Sequence, residues 1–348
     1  MNLPTLYRSF NVFKSLAYAK IAHKRIPVKV AFQITTRCSM RCSYCYVNLK
    51  TYQKLKDPTT DEVFQIIDEL YDQGTRWLWF LGGEPMMRSD FGAIIDYAHK
   101  KGMFCDMNSN GILINKQNVN IVKKLDGVCI SIDGDAESNE HYRGKGTYKK
   151  ALNAVKLLRQ NNIPVRIHSI LTKKTYQKLD HLISLSKDLG VSFNYCEVLK
   201  ESSKNDQFLL SDKESRIFYK KYSFYKKRGF PIIHSLRAIN YIKRWPKKGS
   251  DIIYRKESKN YPADSFVKCL SGDLTCFLDL DGKLYSCPRT WNDGLNYREV
   301  GFKKAWDYLA KRKCLSCKCI GAYQLHLFLG LDLKSLIHAI RSVIALKN

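Results

Sequence analysis

The sequence lacks any run of apolar residues long enough to cross a membrane. None of its 348 residues lies in a stretch of the ~18 consecutive apolar side chains that a spanning helix needs. The basic N-terminus also lacks a long apolar segment followed by a small-residue cleavage site, so a secretory leader is not predicted. We therefore expect a cytoplasmic protein.

Acidic side chains are scarce, above all near the N-terminus. No aspartate or glutamate occurs before Asp57, although 11 lysines and arginines do, and the formal net charge of the chain is +27. This imbalance exceeds what solubility requires and favours a polyanionic partner, such as nucleic acid, an anionic lipid surface or an acidic substrate carrier. Charge alone does not choose among these partners.

Short apolar runs alternate with longer amphipathic segments over residues 28–197. The runs predicted as strands are residues 28–34, 77–81, 103–107, 127–132, 165–171 and 191–196. Helical patterns between them cover residues 62–71, 91–101, 148–161 and 176–189. Repeated strand-then-helix units predict an α/β fold with a parallel sheet, either open or closed into a barrel. Reactive residues should then follow the carboxyl ends of the strands.

Five segments make up the predicted domain organisation. They are a basic amphipathic segment (1–27), the core (28–197), a basic helical linker rich in aromatic residues (198–263), a small cysteine-rich domain (264–320) and a C-terminal amphipathic helix (321–348). Within the cysteine-rich domain, residues 275–280 and 283–286 predict a hairpin that turns at Asp281-Gly282.

Both ends of the chain carry apolar residues at helical spacing. The N-terminal stripe is Leu6, Phe10, Phe13, Ala17 and Ile21, and the C-terminal stripe is Leu333, Leu336, Ile337, Ile340, Val343 and Ile344. One interpretation is that these helices cap the core. The other is peripheral attachment to an anionic membrane at its inner face, because basic amphipathic helices bind there through apolar burial and charge.

Twelve cysteines occur, and the first cluster of them is Cys38, Cys42 and Cys45, directly after the first predicted strand. Cytosolic thiols stay reduced, so such close spacing indicates metal binding or catalysis. Three thiolates would leave one iron of a cubane iron–sulfur cluster open to a substrate or cofactor. A zinc knuckle would need a fourth ligand nearby, and the next cysteine is Cys105. The spacing, with Tyr44 before the last cysteine, resembles the signature of the radical S-adenosylmethionine (SAM) superfamily.

Further motifs follow the next strands in matching places. Gly82-Gly83-Glu84-Pro85 resembles the superfamily motif that binds the methionyl amino group of SAM. A carboxylate suits an ammonium group, and glycines let backbone approach a ligand closely. Ser109-Asn110-Gly111 resembles the Thr-Asn-Gly position, and Ser131-Ile132-Asp133 resembles the Ser-x-Asp ribose contact. The resemblance assigns Ser109, Asn110, Ser131 and Asp133 to SAM binding.

Two later positions are weaker candidates. His141-Tyr142-Arg143-Gly144 resembles a segment of the peptide-modifying and molybdopterin-related branches, in which the arginine lies near the cofactor. The alternative is a surface arginine in a loop flanked by glycine. Ser169 is a candidate contact for the SAM carboxylate or adenosine, whereas His168 alternates to the other face of its strand and is interpreted as structural.

The resemblance covers about residues 28–197 and implies a partial (β/α)6 TIM-like barrel. It also implies a 4Fe–4S cluster chelated by SAM, reductive cleavage of SAM to methionine and a 5′-deoxyadenosyl radical, and abstraction of a hydrogen atom from a substrate. The cofactors carry this chemistry, while the protein orients them and excludes water.

Cys269, Cys287, Cys314 and Cys317 form the second set, with intervals of 17, 26 and two residues. Four residues separate Gly282 from Cys287, which is similar to the Gly-x4-Cys opening of the twitch domain, the short form of the SPASM auxiliary-cluster domain. Four thiolates would complete one auxiliary 4Fe–4S cluster. A four-cysteine zinc site is the alternative. The remaining cysteines are interpreted as buried or spare thiols, of which Cys276 or Cys319 could replace a ligand.

Three functions remain open at this point. The first is a radical SAM oxidoreductase that carries out a net oxidation of a small-molecule or lipid-linked substrate, with flavodoxin or ferredoxin as electron donor. The second is a peptide maturase, although no winged-helix peptide-binding domain is evident. The third is a metal-bound RNA-binding protein that uses residues 198–263. The intact Glu84 and Asp133 motifs argue against the third, so nucleic acid is not the expected partner.

Overall fold

The computed structural model describes residues 3–45, 55–198, 206–247, 250–262, 265–290 and 293–331. Among these residues no helix combines the length and the apolar character needed to cross a bilayer. The strands are β1 Lys29–Gln33, β2 Trp77–Leu81, β3 Phe104–Ser109, β4 Gly127–Ser131, β5 Val165–Leu171, β6 Ser192–Glu197, β7 Ile252–Tyr254, β8 Thr275–Leu278, β9 Lys283–Tyr285, β10 Leu295–Asn296 and β11 Cys314–Cys317.

Helices lie between the first six strands, and further helices precede and follow them. They are α1 Leu3–Ile21, α2 Thr60–Asp72, α3 Phe91–Lys100, α4 Val119–Val122, α5 Ala136–Arg143, α6 Thr147–Gln160, α7 Leu179–Asp188, α8 Asp212–Lys227, α9 Leu236–Lys243, α10 Tyr297–Val300, α11 Phe302–Tyr308 and α12 Ile320–Leu329. Short 3-10 turns, such as Pro85–Met87, join some of these elements.

The main sheet has the strand order β10-β9-β8-β1-β2-β3-β4-β5-β6 in the described part of the chain. Strands β1 to β6 run parallel, and each pairs with the next one along the chain. Side chains on one face, such as Phe32, Phe80 and Ile130, pack into a single core with the helices. The predicted α/β fold, a partial TIM-like barrel, is confirmed by this mostly parallel sheet. Its strands end at one edge, where the predicted site residues lie.

The cysteine-bearing hairpin extends this same sheet. Strands β8 and β9 pair antiparallel as the sequence predicted, but β8 also pairs parallel with β1, with Thr275 opposite Lys29. The apolar pattern of the sequence does not indicate this second pairing. It satisfies the backbone groups along the free edge of β1 and lets Cys276 and Leu278 join the main core.

Helix α1 packs on the fold through a face other than the predicted stripe. Its buried residues are Thr5, Arg8, Val12, Leu16 and Ala19. Arg8 and Asp126 form a buried ion pair at this face, joined by the Thr5 hydroxyl, which donates to Asp126 at 2.7 Å. The stripe that contains Phe10 and Phe13 is exposed instead. Helix α1 therefore caps the fold, as one interpretation held, but through a face other than the predicted stripe, because the ion pair with Asp126 selects that face.

The last described helix lies beside α1. Leu329 of α12 belongs to the same small apolar cluster as Val12, Leu16 and Ala19. The predicted C-terminal stripe from Leu333 to Ile344 lies outside the described residues.

The basic region between the barrel and the cysteine-rich domain contributes to the core. Phe218, Tyr219 and Tyr222 of α8 are buried against Tyr195 of β6, with ring centroids 4.8 to 6.2 Å from that of Tyr195. These three aromatic residues thus pack internally instead of being available for stacking on bases, whereas Phe224 of the same helix is exposed.

Candidate cofactor sites

Cys38, Cys42 and Cys45 lie on the loop that leaves the carboxyl end of β1. Cys38 and Cys42 are half-buried, whereas Cys45 is exposed. The loop is held in place by backbone bonds, since the Cys45 N–H donates to the Cys42 carbonyl at 3.1 Å and the Ser43 N–H donates to the Tyr142 carbonyl at 3.1 Å. The Met40 N–H lies 3.4 Å from Cys38 Sγ and can stabilise a thiolate there.

A cavity of about 520 Å³ opens beside Cys38. Its walls include Thr36, Arg37, Arg41 and Met87, together with residues 55–57. A volume in this range is typical of pockets for small ligands and cofactors, which commonly measure about 300–1,000 Å³. The cysteine loop therefore borders an open cavity on the side of Cys38.

Gly82 and Gly83 are required by the approach of the protein's own backbone. A Cβ atom at Gly83 would lie 2.3 Å from the Arg37 carbonyl oxygen, and one at Gly82 would lie 2.6 Å from that of Thr35. The Gly83 N–H donates to the Thr35 carbonyl at 2.8 Å, and the Glu84 N–H donates to the Arg37 carbonyl at 2.8 Å. The sequence reading assigned these glycines to close contact with a ligand, whereas here they let the Glu84 segment support the cysteine loop.

Glu84 is fully buried at the carboxyl end of β2, and Pro85 behind it begins a 3-10 turn. Its carboxylate accepts bonds from the Ser109 hydroxyl at 2.9 Å, the Asn110 N–H at 2.7 Å and the Met86 N–H at 3.2 Å. No cationic side chain in the described part of the chain pairs with it. Burial raises the pKa of Glu84 to about 7, although the hydrogen bonds oppose this shift. Such a carboxylate is suited to a ligand ammonium group.

Asn110 connects Glu84 to the first cysteine. While its N–H donates to Glu84, its side-chain amide nitrogen lies 3.7 Å from Cys38 Sγ. The end of β3 thus brings the predicted methionyl site and the predicted cluster site together.

Asp133 is the centre of a buried network that includes three other predicted residues. It accepts hydrogen bonds from the Tyr44 hydroxyl, from Arg143 Nε at 2.7 Å, and at its other oxygen from the Ser169 hydroxyl at 3.3 Å and the Ile170 N–H at 2.8 Å. Arg143 also approaches Cys42 Sγ at 4.0 Å. Arg143 is therefore not a surface arginine, and the sequence alternative that made it one is wrong.

Protein groups occupy both Asp133 oxygens, so a ribose contact through this residue remains a prediction. Ser131, two residues earlier, is half-buried at the end of β4. Burial raises the pKa of Tyr44 well above its usual value, which keeps the phenol protonated as a donor to Asp133. The network fixes the Tyr44 end of the cysteine loop against β4 and β5.

Of the four strand residues that have a buried side-chain polar atom without a hydrogen-bond partner among the described residues, two lie outside β6. They are Gln33, through both atoms of its amide, and His168, through Nδ1. Burial lowers the pKa of His168 to about 4, so its ring is neutral near pH 7. The sequence reading set His168 aside as structural, and its unpaired nitrogen makes it a further candidate for contact with a ligand.

The second set of cysteines comes from three elements. Cys269 precedes β8, Cys287 follows β9, and Cys314 and Cys317 begin and end β11, which pairs with β7. Burial, together with the neighbouring thiols of Cys269 and Cys314, raises the pKa of Cys287 to about 12. The charge of Cys269 also acts on Cys314 and Cys317. The four predicted ligands are therefore neighbours in space.

His326, which the sequence reading did not single out, lies beside this set. Its Nε2 is 3.7 Å from Cys269 Sγ and 3.3 Å from the Ser271 hydroxyl. Burial opposes ionisation of Cys269, but His326 and the bonds from Ser271 lower the pKa of this thiol to about 7. His326 lies in α12, 57 positions after Cys269. This separation is too large for sequence spacing to indicate that the two residues are in contact.

Arg289 is a second residue that sequence reasoning missed. Its side chain is 10% exposed, and its Nε and Nη2 atoms have no hydrogen-bond partner among the described residues. Its charge acts on Cys287, Cys317 and Cys319. A buried guanidinium with unused donors suits an anionic group at this position.

Residues 32–185 match the family model of the Radical SAM superfamily. The AdoMet-dependent heme synthase of Nitratidesulfovibrio vulgaris is 25% identical over 286 residues, which cover 80% of this chain and 78% of the relative. The PqqA peptide cyclase of Bradyrhizobium diazoefficiens is 27% identical over 169 residues, which cover 47% of this chain and 44% of the relative. The crystal structure of Streptococcus suis SuiB bound to precursor peptide SuiA has a TM-score of 0.63 at 15% identity, covering 85% of this chain and 67% of that chain.

These similarities confirm the resemblance found in the motifs: residues 32–185 match the radical SAM family model, and the relatives include an AdoMet-dependent heme synthase. The predicted cofactors, SAM and 4Fe–4S clusters, are confirmed at the level of this family. The likeness to SuiB shows the fold alone.

Proposed function

We propose that this radical SAM enzyme binds a 4Fe–4S cluster through Cys38, Cys42 and Cys45 and oxidises a small-molecule substrate. When bound, the cluster and SAM supply reductive cleavage to methionine and a 5′-deoxyadenosyl radical that takes a hydrogen atom from the substrate. The protein's own residues hold the ligands, orient them and keep water away.

The observation that carries this proposal is the connection from Glu84 through Asn110 to Cys38. The Glu84 carboxylate has no cationic partner among the described residues. Asn110 contacts both this carboxylate and the Cys38 thiol, which borders a cavity. The ammonium group of SAM would neutralise Glu84 and be held beside the cysteine loop. Ser109, which donates to Glu84, would keep the carboxylate in that orientation.

The other proposed SAM contacts surround the same loop. Ser131 would reach the ribose, while Asp133 and Ser169 would hold Arg143 and Tyr44 in place near Cys42. Tyr44, Tyr142 and Phe208 pack with ring centroids 5.4 to 6.4 Å apart and cover this side of the loop. Their apolar surface would exclude water from reactive groups at Cys42.

An auxiliary 4Fe–4S cluster on Cys269, Cys287, Cys314 and Cys317 is the second part of the proposal. A zinc ion would draw four sulfurs within about 4 Å of one another, since each lies about 2.3 Å from the metal. Among the described residues, the single group of three metal-binding atoms within 4.8 Å of one another is a different one. The wider arrangement supports a cubane, in which each thiolate binds a separate iron. Such a cluster would accept an electron in a net oxidation.

The test is anaerobic reconstitution with iron and sulfide counts and an assay of SAM cleavage under dithionite. The wild-type enzyme should hold about eight irons and form 5′-deoxyadenosine. A Cys38→Ala/Cys42→Ala/Cys45→Ala variant should lose about half of the iron and all of the cleavage. Cys276→Ala, at a buried thiol outside both sets, is the matched control. Cleavage that survives the triple substitution would refute the assignment.

The relatives favour a small molecule over a peptide. The heme synthase matches four fifths of this chain, whereas the peptide cyclase matches less than half. A peptide substrate, as for the relative PqqA peptide cyclase, is the second candidate. A lipid-linked small molecule is compatible with the first candidate if the enzyme works at a membrane.

Peripheral attachment to an anionic membrane is a further part of the proposal. Helix α1 exposes Leu3 by 81%, Phe10 by 61% and Ile21 by 81%, and it contains no acidic residue. An apolar face on a basic helix binds anionic bilayers through burial and charge. Phe10→Ser/Phe13→Ser should abolish co-sedimentation with phosphatidylglycerol vesicles, and phosphatidylcholine vesicles should bind neither protein. Equal binding by both proteins would refute this role of α1.

The basic surface also suits an acidic electron donor, such as flavodoxin or ferredoxin. Complementary charge would raise the rate of association, and that rate should fall steeply with added salt. A rate of reduction that does not depend on ionic strength would argue against such a partner.

A further inference from the structure

A compact group of ligand atoms lies between the barrel and the auxiliary cysteines. The sulfurs of Cys196 and Cys319 and a carboxylate oxygen of Glu197 are all within 4.8 Å of one another. Cys196 and Glu197 end β6, and Cys319 immediately precedes α12. Two elements of the proposed enzyme, β6 and α12, thus meet at a point that neither proposed cluster uses.

The spacing matches a mononuclear ion. Zinc binds thiolates at about 2.3 Å and carboxylate oxygens at about 2.0–2.2 Å, so its ligand atoms lie within about 4 Å of each other. The four proposed auxiliary ligands do not form such a group among the described residues. The three residues are therefore the more compact group, and Cys319 also acts on Cys317 of the auxiliary set.

One carboxylate oxygen of Glu197 lacks a partner in the described part of the chain. One oxygen accepts a bond from the Tyr219 hydroxyl at 2.5 Å, and the other is buried with no hydrogen-bond partner among the described residues. A buried carboxylate oxygen without a donor costs free energy, and a metal ion would satisfy it.

A divalent ion would offset negative charge in this group. Two thiolates and one carboxylate carry three negative charges, and Arg289, which acts on Cys196, Glu197 and Cys319 alike, also pairs with Asp251 at 3.8 Å. One divalent cation would supply two positive charges to the ligands. Thiolates with a carboxylate suit zinc better than the harder magnesium or calcium ions.

We infer that Cys196, Glu197 and Cys319 form a mononuclear zinc site that joins the last barrel strand to the auxiliary domain. Three protein ligands leave the fourth position of a tetrahedral ion open for water or for a substrate oxygen. The site goes beyond the proposed radical chemistry. It would hold α12 and β6 together beside the auxiliary cysteines.

The experiment measures zinc and iron on the same samples. Reconstituted holoenzyme is freed of loosely bound metal with a chelator, titrated with Zn²⁺ alone and analysed by mass spectrometry. Wild type should retain one zinc per chain in addition to its iron. Glu197→Gln and Cys196→Ser should each lose the zinc and keep the iron, while Cys276→Ser keeps both. Cobalt(II) added in place of zinc should give thiolate-to-metal absorption in the wild type and in Cys276→Ser, but not in Glu197→Gln or Cys196→Ser.

Two results would overturn the inference. Zinc retained by both Glu197→Gln and Cys196→Ser would place the ion elsewhere. Loss of about four irons from Cys319→Ser, with zinc binding absent from the wild type, would make Cys319 a ligand of the auxiliary cluster. The zinc count is read separately from the iron count, so a failed zinc site and a failed cluster assignment are distinguishable. Retained iron also shows that a variant is folded.

Discussion

The backbone N–H of Asn110 donates to Glu84 at 2.7 Å, and the side-chain amide of the same asparagine is directed at Cys38. A single residue at the end of β3 therefore sets the distance between a buried carboxylate and the cysteine loop. The arrangement explains how motifs on three successive strands combine into one site, because the carboxyl ends of parallel strands meet at the same edge.

Glu84→Gln should weaken SAM binding by roughly 10-fold to 100-fold, because a hydrogen bond to a charged group contributes about 1.5–3 kcal/mol. Glutamine keeps the shape of the side chain, and its carbonyl oxygen still accepts a hydrogen bond. It cannot neutralise the charge of an ammonium group. Equilibrium dialysis with the reconstituted enzyme measures the change. Glu137→Gln, at a carboxylate that is 80% exposed, is the matched control and should bind SAM normally.

The affinity for SAM should also depend on pH in the wild type. Burial raises the pKa of Glu84 to about 7, so the carboxylate loses its charge as the pH falls through that value. Binding should therefore weaken from pH 8 to pH 6 in wild type and stay nearly constant in Glu84→Gln. A wild-type profile that is flat over this interval would contradict a direct role for the Glu84 charge.

Gly83→Ala should disturb the cysteine loop. A Cβ atom would lie 2.3 Å from the Arg37 carbonyl oxygen, and this backbone atom cannot move without shifting the chain that leads to Cys38. We expect a loss of about 1–3 kcal/mol in the free energy of unfolding, together with lower iron occupancy at the first cluster. Denaturant titration and iron counts measure these effects. Gly321→Ala, where the added Cβ meets nothing within 4 Å, should be nearly neutral.

The buried pair of Arg143 and Asp133 should behave as a coupled unit. Their side chains are 7% and 0% exposed, and breaking a buried pair costs about 3–5 kcal/mol because one charge remains without a partner. Arg143→Met should therefore destabilise the apoprotein strongly, and the double variant Arg143→Met/Asp133→Asn should recover part of the loss. Urea titration of the wild type, of Arg143→Met, of Asp133→Asn and of the double variant completes the double-mutant cycle. Additive effects would show that the pair is not coupled.

The sequence predicted the barrel well where an apolar run alone decides a strand. Residues 77–81 and 165–171 are strands β2 and β5 with the predicted bounds. It predicted less well where one side chain decides between faces, as Asp126 does for α1. It gave no indication that Cys196 meets Cys319, since 122 positions separate them and only the folded sheet brings them together. The pairing of β8 with β1 was hidden for the same reason.

Low pH should weaken the packing of α1 on the fold, because it protonates Asp126. Burial alone would raise the pKa of this carboxyl, but bonds from His99, Arg8, the Cys105 N–H and Thr5 hold it below its ordinary value of 3.8. A depressed pKa stabilises the fold above the unfolded value, and the contribution is lost as the pH falls through the folded value. Arg8→Met should remove about 3–5 kcal/mol at pH 7 and flatten the acid dependence below pH 4. An unchanged acid transition in Arg8→Met would contradict this anchor.

Arg289→Met should lower the reduction potential of the auxiliary cluster. The charge of Arg289 acts on Cys287 and Cys317, and its Nε and Nη2 atoms are unused in the described part of the chain. Positive charge and hydrogen bonds near cluster sulfurs favour the reduced state, so their removal makes reduction harder. Redox titration followed by electron paramagnetic resonance separates the two clusters. Arg244→Met, at an exposed arginine, is the control and should leave both potentials unchanged.

The measurement should use zinc-depleted enzyme, so that a change at Cys319 does not contribute to the shift. The potential of the first cluster should stay the same in Arg289→Met, because Arg143 and not Arg289 lies beside Cys42. Equal shifts in both clusters would indicate a general loosening of the fold. An unchanged auxiliary potential would mean that the unused donors of Arg289 do not act on the cluster, and that its ion pair with Asp251 at 3.8 Å accounts for its charge.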